Sequence, residues 1–212
     1  MNTNIDFSLY LVTDRKCLKG RNLKKSVEEA ILGGATLVQL REKNCDSLEL
    51  FDIAKEIKNV TDKYNVPLII NDRIDIAMAV DAAGVHLGQS DIPCIVARKI
   101  LGNSKIIGVS AHDINEALKA QKDGATYIGC GAVFSTSTKN DVTTLKIQEL
   151  KKIKEKVDIP VVAIGGINEK NILKLKETNI NGVAVVSAIL GKDNIKEATA
   201  NLKDIMKFDY TV

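Results

Sequence analysis

The stretch LVTDRKCLKG, residues 11–20, ends the first β-prone run of the chain, SLYLVT at 8–13, and leads into charged sequence. Seven more short apolar runs follow: TLVQLRE (36–42), PLIIN (67–71), GVHLG (84–88), KIIGVSA (105–111), TYIGCGAV (126–133), PVVAIGG (160–166) and GVAVVSA (182–188). Between them lie segments with apolar residues at i, i+3, i+4 and i+7, such as SVEEAILGG and LELFDIAKEIKNV. A strand followed by a helix returns to a parallel strand, so the eight units build a parallel sheet, closed or open. An open dinucleotide-binding sheet wants G-x-G-x-x-G directly after its first strand, and residues 11–20 hold no such motif. Eight units fill a closed barrel without remainder, and the strands vary little in length or apolar character. The expectation is therefore an α/β chain, a single (β/α)8 TIM barrel that spans 1–212 as one catalytic domain. At 212 residues it has little room beyond the barrel for a second domain or a long lid.

Several helical segments end in Gly or Asn before the next strand, at Gly33-Gly34, Asn65, Gly124 and Asn181, which reads as C-cap chemistry. KIQELKKIKEKV is the most charged segment, and its lysines read as a solvated helix face. Hydrophobic residues make up 45% and charged residues 27%, the balance of an ordinary globular protein. Thirty Lys plus Arg against 27 Asp plus Glu leaves +3, too weak a bias for nucleic acid or an anionic membrane. Aromatic residues are only 4%, which disfavours a base-stacking platform. Cys17, Cys45, Cys94 and Cys130 form no C-x-x-C pair, which argues against zinc and suits a reducing compartment. With no basic-then-apolar leader and no run of ~20 apolar residues, the expected location is the cytoplasm, without membrane attachment. A homo-oligomer is left open.

In a closed barrel the working residues sit at the C-terminal ends of the strands. Strand 2 ends V-Q-L-R-E-K, where Gln39, Arg41 and Lys43 share one side of the extended chain and Leu40 and Glu42 take the other. Two cations facing the axis would call for an anion; the alternative places them in solvent, paired with acidic neighbours. Strand 3 ends at Asn71-Asp72, and Asp91 follows strand 4. Carboxylates on adjacent strand ends can converge on one Mg²⁺ that keeps most of its positions for water and phosphate oxygens. Alternatively, each aspartate caps the helix that follows it. Ser110 at the end of strand 5 could donate to a phosphate or satisfy a local backbone group. His112 lies one step further out, and His86 reads as a packed, hydrogen-bonded residue. Gly165-Gly166 and Val186-Ser187 end strands 7 and 8, where barrels commonly seat a phosphate on backbone N–H groups. Between these clusters, GAVFSTSTK runs from strand 6 into four hydroxyl side chains, Ser135 to Thr138, and Lys139. No Cys-His or Ser-His-Asp set assembles, which disfavours a covalent nucleophile.

The motifs VQLREK (38–43), ND (71–72), HLGQSD (86–91), GVSAH (108–112), GCGAVFSTSTK (129–139), AIGGI (163–167) and VAVVSAI (183–189) resemble, in order, those of the thiamine phosphate synthases. The resemblance implies a (β/α)8 barrel that joins hydroxymethylpyrimidine diphosphate to a thiazole phosphate and releases diphosphate. It implies that the stretch Gln39, Leu40, Arg41, Glu42 and Lys43, with Asn71, Ser110 and Lys139, holds the pyrimidine diphosphate, Arg41, Lys43, Ser110 and Lys139 acting in catalysis. Asp72 and Asp91 would bind Mg²⁺. Thr136, Ser137 and Thr138, with Gly166, Val186 and Ser187, would contact the thiazole phosphate. The rival readings are a paralogous barrel that isomerises the thiazole alone, a non-catalytic sensor of a phosphorylated metabolite, and a sugar-phosphate isomerase or epimerase.

Overall fold

A computed structural model describes residues 5–135 and 145–207. Eight parallel strands close into a barrel in chain order: β1 (Leu9–Val12), β2 (Leu37–Leu40), β3 (Leu68–Asn71), β4 (Gly84–Leu87), β5 (Ile106–Ala111), β6 (Tyr127–Gly131), β7 (Val161–Ile164) and β8 (Gly182–Val185). The first and last strands pair directly, Leu9 with Val183 and Leu11 with Val185, which seals the ring. Around it run α1 (Arg15–Leu18), α2 (Leu23–Leu32), α3 (Ser47–Lys63), α4 (Ile74–Ala79), α5 (Cys94–Leu101), α6 (Ile114–Lys122), α7 (Ile147–Lys156), α8 (Ser187–Leu190) and α9 (Ile195–Lys207). The connection from β7 to β8 is a 3-10 helix, Ile172–Thr178.

Alternation along each strand divides the apolar residues into two cores. Tyr10, Val12, Leu37, Ile69, Ile106, Tyr127, Val162 and Ala184 point inward and fill the barrel. Leu9, Leu11, Val38, Leu40, Leu68, Ile70, Val85 and their counterparts point outward, against Val27, Ile57, Ala97, Leu150 and other helix residues. Strands buried on both faces are why the runs read as continuously apolar.

The helix ends follow local chemistry. Asn22, Asp46 and Asp113 cap α2, α3 and α6 by accepting from backbone N–H groups three residues on. Gly33 closes α2, and Asn65 and Gly124 take the left-handed conformation beyond α3 and α6. Asn181 is a correction: the left-handed residue there is Asn179, while the Asn181 side chain accepts from Val161 N at 2.9 Å and splices β7 to the start of β8. The eighth strand is also shorter than its sequence suggests. Val186 leaves the extended conformation at φ −116° and ψ −83°, and Ser187 opens α8.

Candidate active site

All eight strands contribute to a cavity of about 570 Å³ at the C-terminal end of the barrel. A second cavity of about 340 Å³ lies outside the barrel beside α1, α2 and α3. Its Arg21 is already committed to the carbonyls of Leu190 and Lys192, so the barrel mouth is the better candidate for chemistry.

On one side of the mouth, β2 stops at Leu40 and the chain carries Arg41 and Lys43 onward into the cavity lining. Thr13 Oγ1 accepts from Arg41 N at 2.9 Å and holds this exit against β1. The Arg41 guanidinium stands 3.4 Å from Asp14, and Lys43 Nζ is 2.7 Å from Asp72. Both cations thus line the cavity and face a carboxylate, which combines the two readings left open from sequence. Leu40 and Glu42 point the other way. Leu40 belongs to the outer core, and Glu42 pairs with Arg15 at 2.7 Å, its side chain only 6% exposed. Burial pushes the Glu42 carboxyl up, Arg15 opposing, and its second oxygen has no partner among the described residues. Any contact these two make with a ligand falls to their backbone.

Asp72 and Asp91 meet across the ends of β3 and β4. Asp72 sits at φ 63°, uncommon for a residue with a side chain, with its N–H bonded to His86 O at 2.8 Å. Neither aspartate caps a helix: the N-cap positions of α4 and α5 are Arg73 and Pro93, neither with a side-chain cap, and Asp91 instead accepts from Gly88 N at 2.6 Å. Both carboxyls line the cavity, close enough for Asp72 to act directly on Asp91. Burial, then the contact with Asp72 and its charge, push the Asp91 carboxyl above the ordinary carboxylate range, Lys43 opposing. Two hard oxygens converging in this way fit a cation that completes its shell with water and ligand oxygens. Among the described residues no larger group of His, Cys, Asp and Glu comes together.

Asn71, His112, Gly166, Val186 and Ser187 also line the cavity. His112 is turned toward α6, its Nδ1 2.9 Å from Glu116. Gly165 and Gly166 take φ 103° and 63°, and the Gly166 carbonyl is held by the side chains of Asn168 and Asn171. A Cβ on Gly166 would lie 2.4 Å from Ser135 O, so the segment leaving β6 packs directly on this turn. Thr136, Ser137, Thr138 and Lys139 lie outside the described residues.

Sequence reasoning did not single out Tyr10 and Tyr127. Their hydroxyls are 2.8 Å apart at the cavity floor; Gln39 donates to Tyr10 at 2.8 Å, and Tyr127 meets His86 Nδ1 at 2.9 Å. His86 Nε2 in turn lies 3.0 Å from Ser110 Oγ, so Ser110 binds a side chain rather than local backbone. A signal was present: Gly108, Gly129 and Gly131 leave the inward face of β5 and β6 short of side chains, and large residues nearby must fill the space. Cys130 is buried and its thiol pushed up to about 12, which leaves it inert as a nucleophile.

The chain is similar to known proteins over nearly its whole length. The family model described as thiamine monophosphate synthase matches residues 9–189. A thiamine-phosphate synthase of Clostridium tetani is 63% identical over 201 residues, covering 95% of this chain and 96% of the relative. One from Alkaliphilus oremlandii is 58% identical over 206 residues, 97% of this chain and 99% of the relative. The solved thiamine phosphate pyrophosphorylase of Pyrococcus furiosus superposes with a TM-score of 0.90 at 40% identity, covering 99% of this chain and all of that one. No helix among the described residues is long and apolar enough to cross a membrane. With motif order, barrel and near-full-length identity in agreement, the chain belongs to the thiamine-phosphate synthase family of transferases.

Proposed function

We propose that the barrel mouth couples hydroxymethylpyrimidine diphosphate with a thiazole phosphate to give thiamine phosphate and diphosphate, in the cytoplasm. The C–O bond to diphosphate breaks with its electron pair leaving on the diphosphate oxygen, and the thiazole ring nitrogen supplies the pair for the new C–N bond. The observation that carries this reading is the facing of Asp72 and Asp91 beside Lys43 and Arg41, two anions and two cations at the rim of one cavity. Asp72 and Asp91 would hold Mg²⁺, which supplies countercharge for the departing diphosphate. Lys43, released from Asp72, and Arg41 would then turn to the same developing charge. Such electrostatic stabilisation is commonly the largest catalytic contribution. Ser110 would donate to the diphosphate and Asn71 would help place it. The turn at Gly166 and the β8 exit at Val186-Ser187 would seat the thiazole phosphate, so the two reactants are held in register. Thr136, Ser137, Thr138 and Lys139 are assigned to the two anionic ligands by resemblance; Val133 N and Phe134 N, which bond to Ile164 O and Gly165 O, start that segment beside the proposed phosphate seat.

The test supplies both phosphorylated halves with and without Mg²⁺ and measures thiamine phosphate and diphosphate together. The expected result is equal amounts of both, dependent on Mg²⁺, with Asp91→Ala and Lys139→Ala folded but crippled. Thiazole isomerisation alone, binding without product, or near-wild-type rates in both variants would overturn the assignment.

A further inference from the structure

Five side chains cross the barrel beneath the cavity in one unbroken row, from Gln39 through Tyr10, Tyr127 and His86 to Ser110. The protons in the row can be placed by counting. Gln39 Nε2 donates to Tyr10, filling one of its acceptor positions. Both phenols are fully buried, and burial pushes both well up, so each keeps its single proton at neutral pH. If Tyr127 also donated to Tyr10, the Tyr10 proton would have no acceptor among the described residues, and a buried donor would be left unmade. Tyr10 therefore donates to Tyr127, and Tyr127 to His86 Nδ1. A neutral His86 then carries its proton on Nε2 and donates to Ser110 Oγ. The Ser110 proton is left for the cavity at one end, and Gln39 Oε1 is left for it at the other.

The barrel reserves space for this row. A Cβ on Gly108 would stand 2.2 Å from Tyr127 Cζ and 2.5 Å from His86 Nδ1, and one on Gly129 would stand 3.0 Å from His86 Cε1. We propose that Tyr10, Tyr127 and His86 are positioning residues, a one-way hydrogen-bond chain that fixes Gln39 as an acceptor and Ser110 as a donor toward the substrate. This rests on the reading of the cavity as an aminopyrimidine diphosphate site: the amino group needs an acceptor and the diphosphate a donor. Rotating the Gln39 amide would reverse every bond in the row. It would also turn an NH₂ group toward the side of the cavity that already carries Arg41 and Lys43, and take the donor away from Ser110. Arg41 and Lys43 line the same cavity, and their charge favours the polarity that presents Gln39 Oε1 to it rather than an NH₂ group.

The first test needs no substrate. In ¹⁵N-labelled protein, imidazole nitrogen–proton correlations report the tautomer of each of the two histidines, with the His112→Gln variant identifying the other signal as His86. The expected spectrum shows His86 protonated on Nε2 alone; a proton on Nδ1 overturns the chain, whether or not the coupling reaction is ever observed. The second test is a kinetic cycle on the coupling reaction. Ser110→Ala should lower kcat by about 10²-fold, as loss of one oriented donor does. Tyr127→Phe should lower it by a smaller factor, and the double variant should be no worse than Ser110→Ala. Tyr10→Phe lies upstream and leaves Tyr127 donating to His86, so it should raise KM for the pyrimidine and leave kcat in place. Multiplying losses in the double variant, or like effects of Tyr10→Phe and Tyr127→Phe, would reduce the row to packing and end the proposal.

Discussion

Asp91 meets a second carboxylate at the edge of a cavity, an arrangement that is unfavourable until a cation is shared between them. Its raised folded-state titration has a definite sign. The stability tied to the protonated form is fully present below the ordinary carboxylate pKa and is lost as pH rises through the raised value, so at neutral pH the empty pair weighs on the fold. Asp91→Asn removes that repulsion and keeps an oxygen for Gly88 N. Its Tm without magnesium at pH 7 should equal or exceed that of the parent. The rise in Tm on adding Mg²⁺ should disappear, and turnover should fall by at least about 10²-fold. Calorimetry with and without metal checks this; a Tm several degrees lower, or a retained magnesium shift, would contradict it. At Arg41 the expectation is different. Arg41→Met keeps much of the side-chain volume but removes the charge, so kcat should drop by about 10²–10³-fold while Tm moves little, since the partly exposed 3.4 Å contact with Asp14 contributes little to stability.

Among the elements, the seam between β8 and β1 is closely fitted at Gly182. Gly182 pairs with Val162 on one side, and on the other a Cβ would lie 1.8 Å from Phe7 O, against backbone that has no rotamer to yield. Gly182→Ala should cost about 1–3 kcal/mol, a fall in Tm of roughly 2–12 °C, with kcat nearly unchanged because the clash lies at the far end of β8 from the cavity. Thermal unfolding and a turnover assay together check it; an unchanged Tm would mean that the seam relaxes freely. The strands themselves were legible because burial on both faces makes each a continuous apolar run, and the strand-end residues were legible because a barrel gathers those ends. Other features were not. Whether Asp72 and Asp91 cap helices or face one another depends on a left-handed turn at Asp72 and on the bond from Gly88 to Asp91, and both residue types suit either role. The end of β8 was overrun because Val-Ser-Ala reads equally as strand or as the start of α8. The row from Gln39 to Ser110 needs the register of five strands at once, and no local pattern encodes that.

For the whole molecule, the ring closure and the site are parts of one arrangement. Every strand lends a residue to the cavity, so a ligand seated there bridges segments far apart in the chain, from Tyr10 and Gln39 to Ile164 and Ser187. The inner apolar core lies directly beneath and is shared by strands from both halves of the barrel, Tyr10, Leu37 and Ile69 packing with Tyr127, Val162 and Ala184. Local opening of a single β-α unit would therefore expose that core and dismantle the binding surface together. Ligand that binds only the closed ring must raise the stability of the whole unit by mass action. At 100 times its dissociation constant, hydroxymethylpyrimidine diphosphate with Mg²⁺ should add about 2.7 kcal/mol, a rise in Tm of roughly 5–11 °C, with the transition moving as one. Far-ultraviolet circular dichroism and tyrosine fluorescence should report the same shift, the latter because Tyr10 and Tyr127 sit at the junction of core and cavity. If the fluorescence transition moved and the dichroism transition stayed, part of the ring would be unfolding independently of the site, and the coupling of closure to binding would be wrong.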